Sequence, residues 1–197
     1  MTIKKGANMK MKLKKEVEFI NPIPIKKSEL ETEYKAIFPA GVEDGKILNY
    51  NFAEVNLKKQ IEEKYFLKKN DILLQVKGNK FESVLITEDV ENLLPSNSYL
   101  ILRSNLEKIN PKYLQWYLKT KVVLEYFDKN TSGAIIKLLR KQTIAELVLN
   151  LPSLNEQNEM ALMIEKFEKE KESTIEYLKN KEELIETLIM RKYGEEC

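Results

Sequence analysis

The run Leu149–Ile164, LNLPSLNEQNEMALMI, constrains this chain more than any other stretch. A mixed segment of β character ends at Pro152, and a charged helix then continues almost to the C-terminus. Ser153 or Asn155 can cap the first turn, and Glu156 and Glu159 stand where the helix dipole favours negative charge. A helix over roughly 156–192 would measure about 55 Å at 1.5 Å per residue. So long and polar a helix is marginal by itself, which points to stabilisation by a partner helix. With Ile164 at heptad position a, the seam falls at Phe167, Lys171, Thr174, Leu178, Lys181, Ile185 and Leu188, with Ile175 and Ile189 beside it. Lys171 and Lys181 lower stability in such a seam while restricting the acceptable registers. The candidate pairing residues are Ile164, Phe167, Ile175, Leu178, Ile185 and Leu188. The alternative is a solvated helix folded back on its own head.

Charge is distributed unevenly between these parts. Residues 153–197 carry 7 Lys/Arg against 12 Asp/Glu, leaving 26 against 19 in residues 1–152. A basic head suits a polyanion such as DNA, though surface lysines alone would give the same balance. The sequence holds no histidine and a single cysteine, Cys197. That removes the commonest general base and the usual zinc ligand, and it excludes a disulfide framework. A reducing cytoplasm is the expected compartment. No apolar run approaches the ~18 residues that span a bilayer, and no apolar segment of a secretory signal follows the basic start.

The head reads as mixed α and β. Residues 1–15 hold six lysines and no acid, and are expected to form a flexible basic arm. Asn21–Ile25 is extended, because each proline disfavours helix in its predecessor. Strands are expected at Tyr34–Phe38, Lys46–Asn51, Ile72–Val76, Ser83–Ile86, Ser98–Arg103, Ile135–Leu139 and Val148–Leu151. Leu57–Tyr65 fits a short helix or a strand pair equally. Asn110-Pro111 starts a helix with proline at its favoured first position. Val122–Phe127 continues its apolar pattern, Thr131-Ser132-Gly133 breaks it, and Lys141–Ala145 suits a short helical turn.

Residue chemistry rejects one enzyme reading and leaves another, a metal-dependent nuclease, only as a weak third alternative. Asn21-Pro22-Ile23-Pro24 lacks the adjacent second proline and the aromatic of an adenine-methyltransferase loop, and the chain has no glycine-rich cofactor loop. A metal-dependent nuclease would need paired acids beside a lysine, whereas Asp71 is followed by Gln75-Val76-Lys77, with glutamine in the ligand's place. A DNA-reading head needs cations for phosphates and amides or guanidiniums for base edges. Lys77, Asn79 and Lys80 share a turn with Gly78, where Asn79 could pair with adenine. Lys137, Arg140 and Lys141 form a second cluster after the Ser132-Gly133 break, with Arg140 a candidate guanine reader. Tyr50, Tyr65 and Trp116 suit the core better than base stacking.

The order of these pieces resembles the DNA-specificity subunit of type I restriction–modification systems. The resemblance rests on Leu67-Lys68-Lys69-Asn70-Asp71-Ile72-Leu73, the Gly78 turn, and Tyr113-Leu114 with Tyr117-Leu118. It continues through Ser132-Gly133 and Ile135–Leu139 to Leu149-Asn150-Leu151-Pro152-Ser153-Leu154-Asn155-Glu156-Gln157 at the head of the helix. It covers the chain from about residue 30 onward. The resemblance implies an α+β target-recognition domain (16–152) and a spacer helix (153–197) that forms an antiparallel coiled coil with a partner. One domain and one helix correspond to half of such a subunit, so the expected assembly is a homodimer or a pair with a homologous half. It further implies double-stranded DNA, methyltransferase subunits and a restriction–translocase subunit as partners. The chain itself would be a non-catalytic specificity subunit with no cofactor or metal of its own. The alternative is a coiled-coil scaffold without DNA readout.

Overall fold

The computed structural model describes residues 9–48, 52–57, 59–133 and 136–194. In chain order, the first strands are β1 (Met9–Lys12), β2 (Val17–Ile20), β3 (Lys26–Lys27), β4 (Lys35–Ile37), β5 (Val42–Glu43), β6 (Lys46–Ile47) and β7 (Ala53–Asn56). The central part holds β8 (Asp71–Gln75), β9 (Lys77–Gly78), β10 (Ser83–Leu85), β11 (Leu93–Pro95) and β12 (Tyr99–Ser104). After these come α1 (Pro111–Leu118), α2 (Lys121–Lys129), β13 (Lys137–Leu138), α3 (Lys141–Ala145), β14 (Val148–Leu151) and α4 (Leu154–Tyr193). Contacts divide the chain into two units, Met1–Asn158 and Glu159–Cys197.

Two four-stranded sheets organise the first unit, with strand orders β10-β8-β12-β2 and β11-β4-β7-β3. The first is antiparallel throughout. In the second, β11 runs parallel to β4. The apolar runs Ile72-Leu73-Leu74 and Leu100-Ile101-Leu102 form the two central strands of the first sheet, where both faces are covered. Alternation sends Leu73, Tyr99 and Ile101 to one face, where they join Ile37 and Leu93 of the second sheet in a single buried cluster. Ala36 and Leu94, one residue out of phase with Ile37 and Leu93, pack with Val55 in a second cluster. Helix α1 lies against β8 and β10.

The register of β8 and β12 places Asp71 opposite Arg103. Arg103 donates to both carboxylate oxygens, at 2.8 and 2.7 Å, and also to the Phe66 carbonyl. Asp71 is buried and accepts the Lys68 amide at 2.9 Å as well. The aspartate of the Leu67–Leu73 motif is therefore a structural anchor, its carboxylate taken up by Arg103 and the Lys68 amide. Its negative charge, through that hydrogen bond, raises the Arg103 pKa.

Several expectations need correction. Residues 1–8 of the expected basic arm lie outside the described residues, but Met9–Lys12 is a strand paired antiparallel with β14. The arm is recruited there because Met11 and Leu13 have apolar side chains to bury. The strand expected at Lys46–Asn51 is only Lys46–Ile47, paired with Val42–Glu43 across the Asp44-Gly45 turn, and residues 49–51 lie outside the described residues. Leu57–Tyr65 resolves into a single 3-10 turn, Glu63–Tyr65, with Lys58 undescribed. The two-turn pattern after Pro111 splits into α1 and α2, where the Thr120 hydroxyl caps back on the Tyr117 carbonyl at 2.7 Å. Trp116 is 42% exposed rather than core and Tyr50 lies outside the described residues, whereas Tyr65, half-buried, packs against both core clusters as expected.

Of the two candidate caps for α4, Ser153 forms the cap. Its hydroxyl meets Glu156 at 2.7 Å, and the Glu156 carboxylate accepts the Ser153 amide at 2.9 Å. This reciprocal capping box fixes the start of the helix and lowers the Glu156 pKa. The next residue, Gln157, is wholly buried. Its Oε1 accepts the Asn110 amide at 3.0 Å, and its Nε2 donates to the Lys108 and Pro152 carbonyls at 3.0 Å each. Asn110 in turn caps α1 by accepting the Tyr113 amide at 3.1 Å. The first turn of α4 thus falls within the first unit.

In the second unit, Phe167, Ile175, Leu178, Ile185 and Leu188 are exposed along α4, and Ile164 is half-buried. The helix is 40 residues long, about 60 Å at the usual rise. No helix among the described residues is long and apolar enough to cross a membrane.

Candidate nucleic-acid interface

The two basic segments picked out in sequence are neighbours in space. Strand β9 pairs antiparallel with β13, so Gly78 faces Lys137 and Lys77 faces Leu138. The ribbon is extended at both ends. The Leu139 amide donates to the Val76 carbonyl at 2.9 Å, and Ser132 exchanges backbone hydrogen bonds with Leu138.

Glycine is required at two places on this ribbon. Gly78 has φ +132°, and a Cβ there would lie 2.6 Å from the Gln75 Nε2, which donates to the Lys77 carbonyl at 2.9 Å. Gly133 has φ +105°, and a Cβ there would lie 2.2 Å from the Ile136 carbonyl oxygen. The Ser132-Gly133 break is thus a tight reversal that delivers β13 to β9. Ala134 and Ile135 lie outside the described residues.

The six candidate side chains differ in availability. Lys77, Asn79, Lys80, Arg140 and Lys141 are exposed, whereas Lys137 is half-buried and paired with Asp128. Lys141 Nζ donates to the Phe19 carbonyl at 2.8 Å, tying the exit of β13 to the exit of β2. Lys80 lies 3.8 Å from the Glu82 carboxylate. Lys77, Asn79 and Arg140 make no side-chain hydrogen bond or ion pair among the described residues.

Lys77, Arg140 and Lys141 line a cleft of about 370 Å³ together with Asn21, Pro22 and Asn97. Asn79 and Lys80 lie outside its walls. Asn97 escaped the sequence reading, although Pro95-Ser96-Asn97-Ser98 between two apolar runs is a turn signal. The turn closes through the Tyr99 amide on the Ser96 carbonyl at 3.1 Å. Its Ser98 carbonyl accepts the Val76 and Lys77 amides at 2.8 and 3.3 Å, so it is stitched to the root of β9. Beneath it, the Tyr99 ring sits in the core with no partner for its hydroxyl among the described residues, and burial raises its pKa. The cleft therefore presents three cations and two amides on a braced rim. Among the described residues, no group of acids or cysteines is placed to hold a metal ion.

No protein-family model and no curated protein matches this sequence. Solved structures do match its fold. The specificity subunit (HsdS) from Thermoanaerobacter tengcongensis superposes with a TM-score of 0.63 at 14% identity, over 93% of this chain and 48% of that one. The type I restriction–modification S subunit from M. genitalium gives 0.62 at 17% identity, over 100% of this chain and 48% of that one. A chain from a structure of the assembly and conformational transition of the type I restriction–modification system gives 0.68 at 12% identity, over 91% and 43%. This chain thus has the fold of a type I specificity subunit, and it spans about half the length of those it matches.

Proposed function

We propose that this chain recognises a DNA sequence as a half-length specificity subunit of a type I restriction–modification system. The observation that carries the reading is the β9–β13 ribbon, which brings two basic segments remote in sequence to one braced cleft. The specificity-subunit fold supports it independently. Lys77, Arg140 and Lys141 would hold phosphates or guanine edges, with Lys80 and Asn79 on the adjoining turn. Lys137 would contribute less, because Asp128 already occupies it.

The chain would be non-catalytic and would bind no cofactor. Methyltransferase subunits would bring adenine methylation, and a restriction–translocase subunit would bring cleavage, both in the cytoplasm. The exposed residues Phe167, Ile175, Leu178, Ile185 and Leu188, with Ile164, would seat an antiparallel partner helix. That partner is a second copy or a homologous half. A homodimer would select two identical half-sites in inverted orientation, because protein symmetry is mirrored in the target.

The test is a methylated-adenine map of the host genome with and without the gene. Loss of methylation at a split motif on deletion supports the reading, and an inverted repeat identifies the homodimer. An unchanged map counts against it.

A further inference from the structure

We infer that Asn97 is the specificity-determining side chain of the cleft and that it pairs with an adenine edge in duplex DNA. This rests on the DNA-recognition reading and assigns within it the residue that discriminates bases.

The placement of Asn97 sets it apart from the other amides. It stands at the tip of a turn held on both sides by main-chain hydrogen bonds, Tyr99 amide to Ser96 carbonyl and Val76 and Lys77 amides to Ser98 carbonyl. The Ser96 amide also donates to the Ile37 carbonyl at 2.9 Å, which anchors the turn to the second sheet. A base-reading group held by packed strands loses little freedom on binding and keeps its orientation. The Asn97 side chain is exposed and has no hydrogen-bond partner among the described residues. Asn79, the amide favoured by sequence alone, lies on a bend outside the cleft. Asn21 lines the cleft, but from an extended segment between β2 and β3 that is not part of either strand.

The chemistry of the rim indicates the base. A carboxamide offers an acceptor and a donor side by side, complementary to the adenine N6 donor and N7 acceptor. Cytosine presents only its N4 donor there, which would leave the amide's own donor without a partner, whereas adenine satisfies both ends. Lys77 and Arg140 line the same cleft and can hold the phosphates that set the register of the amide.

The experiment is selection from a randomised duplex library with the full chain, followed by binding measurements at several salt concentrations. Wild type, Asn97→Ala, Asn97→Asp and Lys77→Ala are compared. Asn97→Ala should relax one adenine position by about tenfold or more while leaving the salt dependence unchanged. Asn97→Asp, which suits the same turn, should move the preference at that position from adenine toward cytosine. A merely structural role would not produce that move. Lys77→Ala should weaken all sequences alike and lower the salt slope by about one. If both Asn97 variants select the wild-type motif with the wild-type ratio, the inference is overturned while the DNA-recognition reading stands. If the wild-type chain shows no salt-dependent binding to any duplex, that reading fails and the inference with it.

Discussion

Gly78 and Lys137 stand directly opposite each other across β9 and β13, and this register determines which cations are free. Lys137 turns to Asp128, whereas Lys77, one residue before Gly78, lines the cleft without a partner among the described residues. The ribbon therefore sorts its lysines into a structural one and an available one. Exposure in sequence terms could not have separated them.

That sorting predicts unequal effects on DNA binding. Lys77→Ala and Arg140→Ala should each lower the slope of log affinity against log salt by about one. Lys137→Ala should lower it by less, because part of its charge is already neutralised by Asp128. Asp128→Ala should free Lys137 and strengthen binding at low salt. Equal slopes for Lys77→Ala and Lys137→Ala in a fluorescence-anisotropy titration would sink this assignment.

The two glycines of the ribbon should respond differently to alanine. At Gly133 the new methyl meets the Ile136 carbonyl, a backbone atom, so the reversal itself must move. A cost of about 2–3 kcal/mol is expected, with loss of DNA affinity. At Gly78 the methyl meets the end of the flexible Gln75 side chain, which can swing away. Backbone strain remains there, so about 1–2 kcal/mol is expected. Thermal denaturation of both variants beside wild type orders the two costs, and a larger loss for Gly78→Ala contradicts the geometry.

The strands that sequence shows best are those with one dominant cause. Ile72-Leu73-Leu74 and Leu100-Ile101-Leu102 are continuous apolar runs bounded by turn residues, and they are the central strands. Asn110-Pro111 and Ser153-x-x-Glu156 announce α1 and α4 through caps, which are local. The pairing of β1 with β14 and the parallel strand β11 have no local cause. Met9–Lys12 alternates methionine with lysine and becomes a strand only because β14 lies beside it. In the same way, both basic segments could be picked out by composition. Their meeting at one cleft, and the entry of Asn97, depend on long-range hydrogen bonds among residues 76, 98 and 139.

Gln157→Leu should be among the most damaging single changes in the head. From its buried position the side chain satisfies the Asn110 amide and the Lys108 and Pro152 carbonyls, the first two part-buried and the last buried. Leucine of similar volume leaves these groups without a partner, at a cost of about 3 kcal/mol or more. Gln157→Glu keeps the acceptor but removes the donor and buries a charge, so it should not rescue. Urea denaturation of the full chain measures both. A loss under about 1 kcal/mol for Gln157→Leu would show that water replaces the amide.

The attachment of β1 should depend on pH and salt. Glu146 accepts from Lys12 and Lys14, and these hydrogen bonds lower its pKa from the ordinary 4.5 to about 2. A depressed carboxylate stabilises the folded state above its unfolded pKa, and that contribution fades as pH falls from about 4.5 toward 2. The protection of the Met11 and Lys12 amides from hydrogen exchange, taken relative to the intrinsic rate at each pH, should therefore fall over that window. Because the groups are solvent-accessible, added salt should mimic the effect in part at neutral pH. Glu146→Gln should flatten the pH dependence, and a profile unchanged by that substitution would remove Glu146 as its cause.

The apolar residues along α4 make a last prediction, on self-association. Phe167, Leu178, Ile185 and Leu188 are exposed in the single chain, and burying each against a partner is worth about 1.5–3 kcal/mol. In a symmetric pair every substitution counts twice, so Leu178→Asp or Ile185→Asp should raise the dimer dissociation constant by well over tenfold. Lys171 and Lys181 fall at positions of the expected seam and would oppose pairing, so Lys181→Leu should tighten the dimer while loosening its register. Sedimentation equilibrium on wild type and these variants reads all three effects. A wild-type chain that stays monomeric at high concentration, and that Lys181→Leu does not dimerise, would exclude a second copy. The helix would then be left to a homologous half whose charges complement the lysines of the seam.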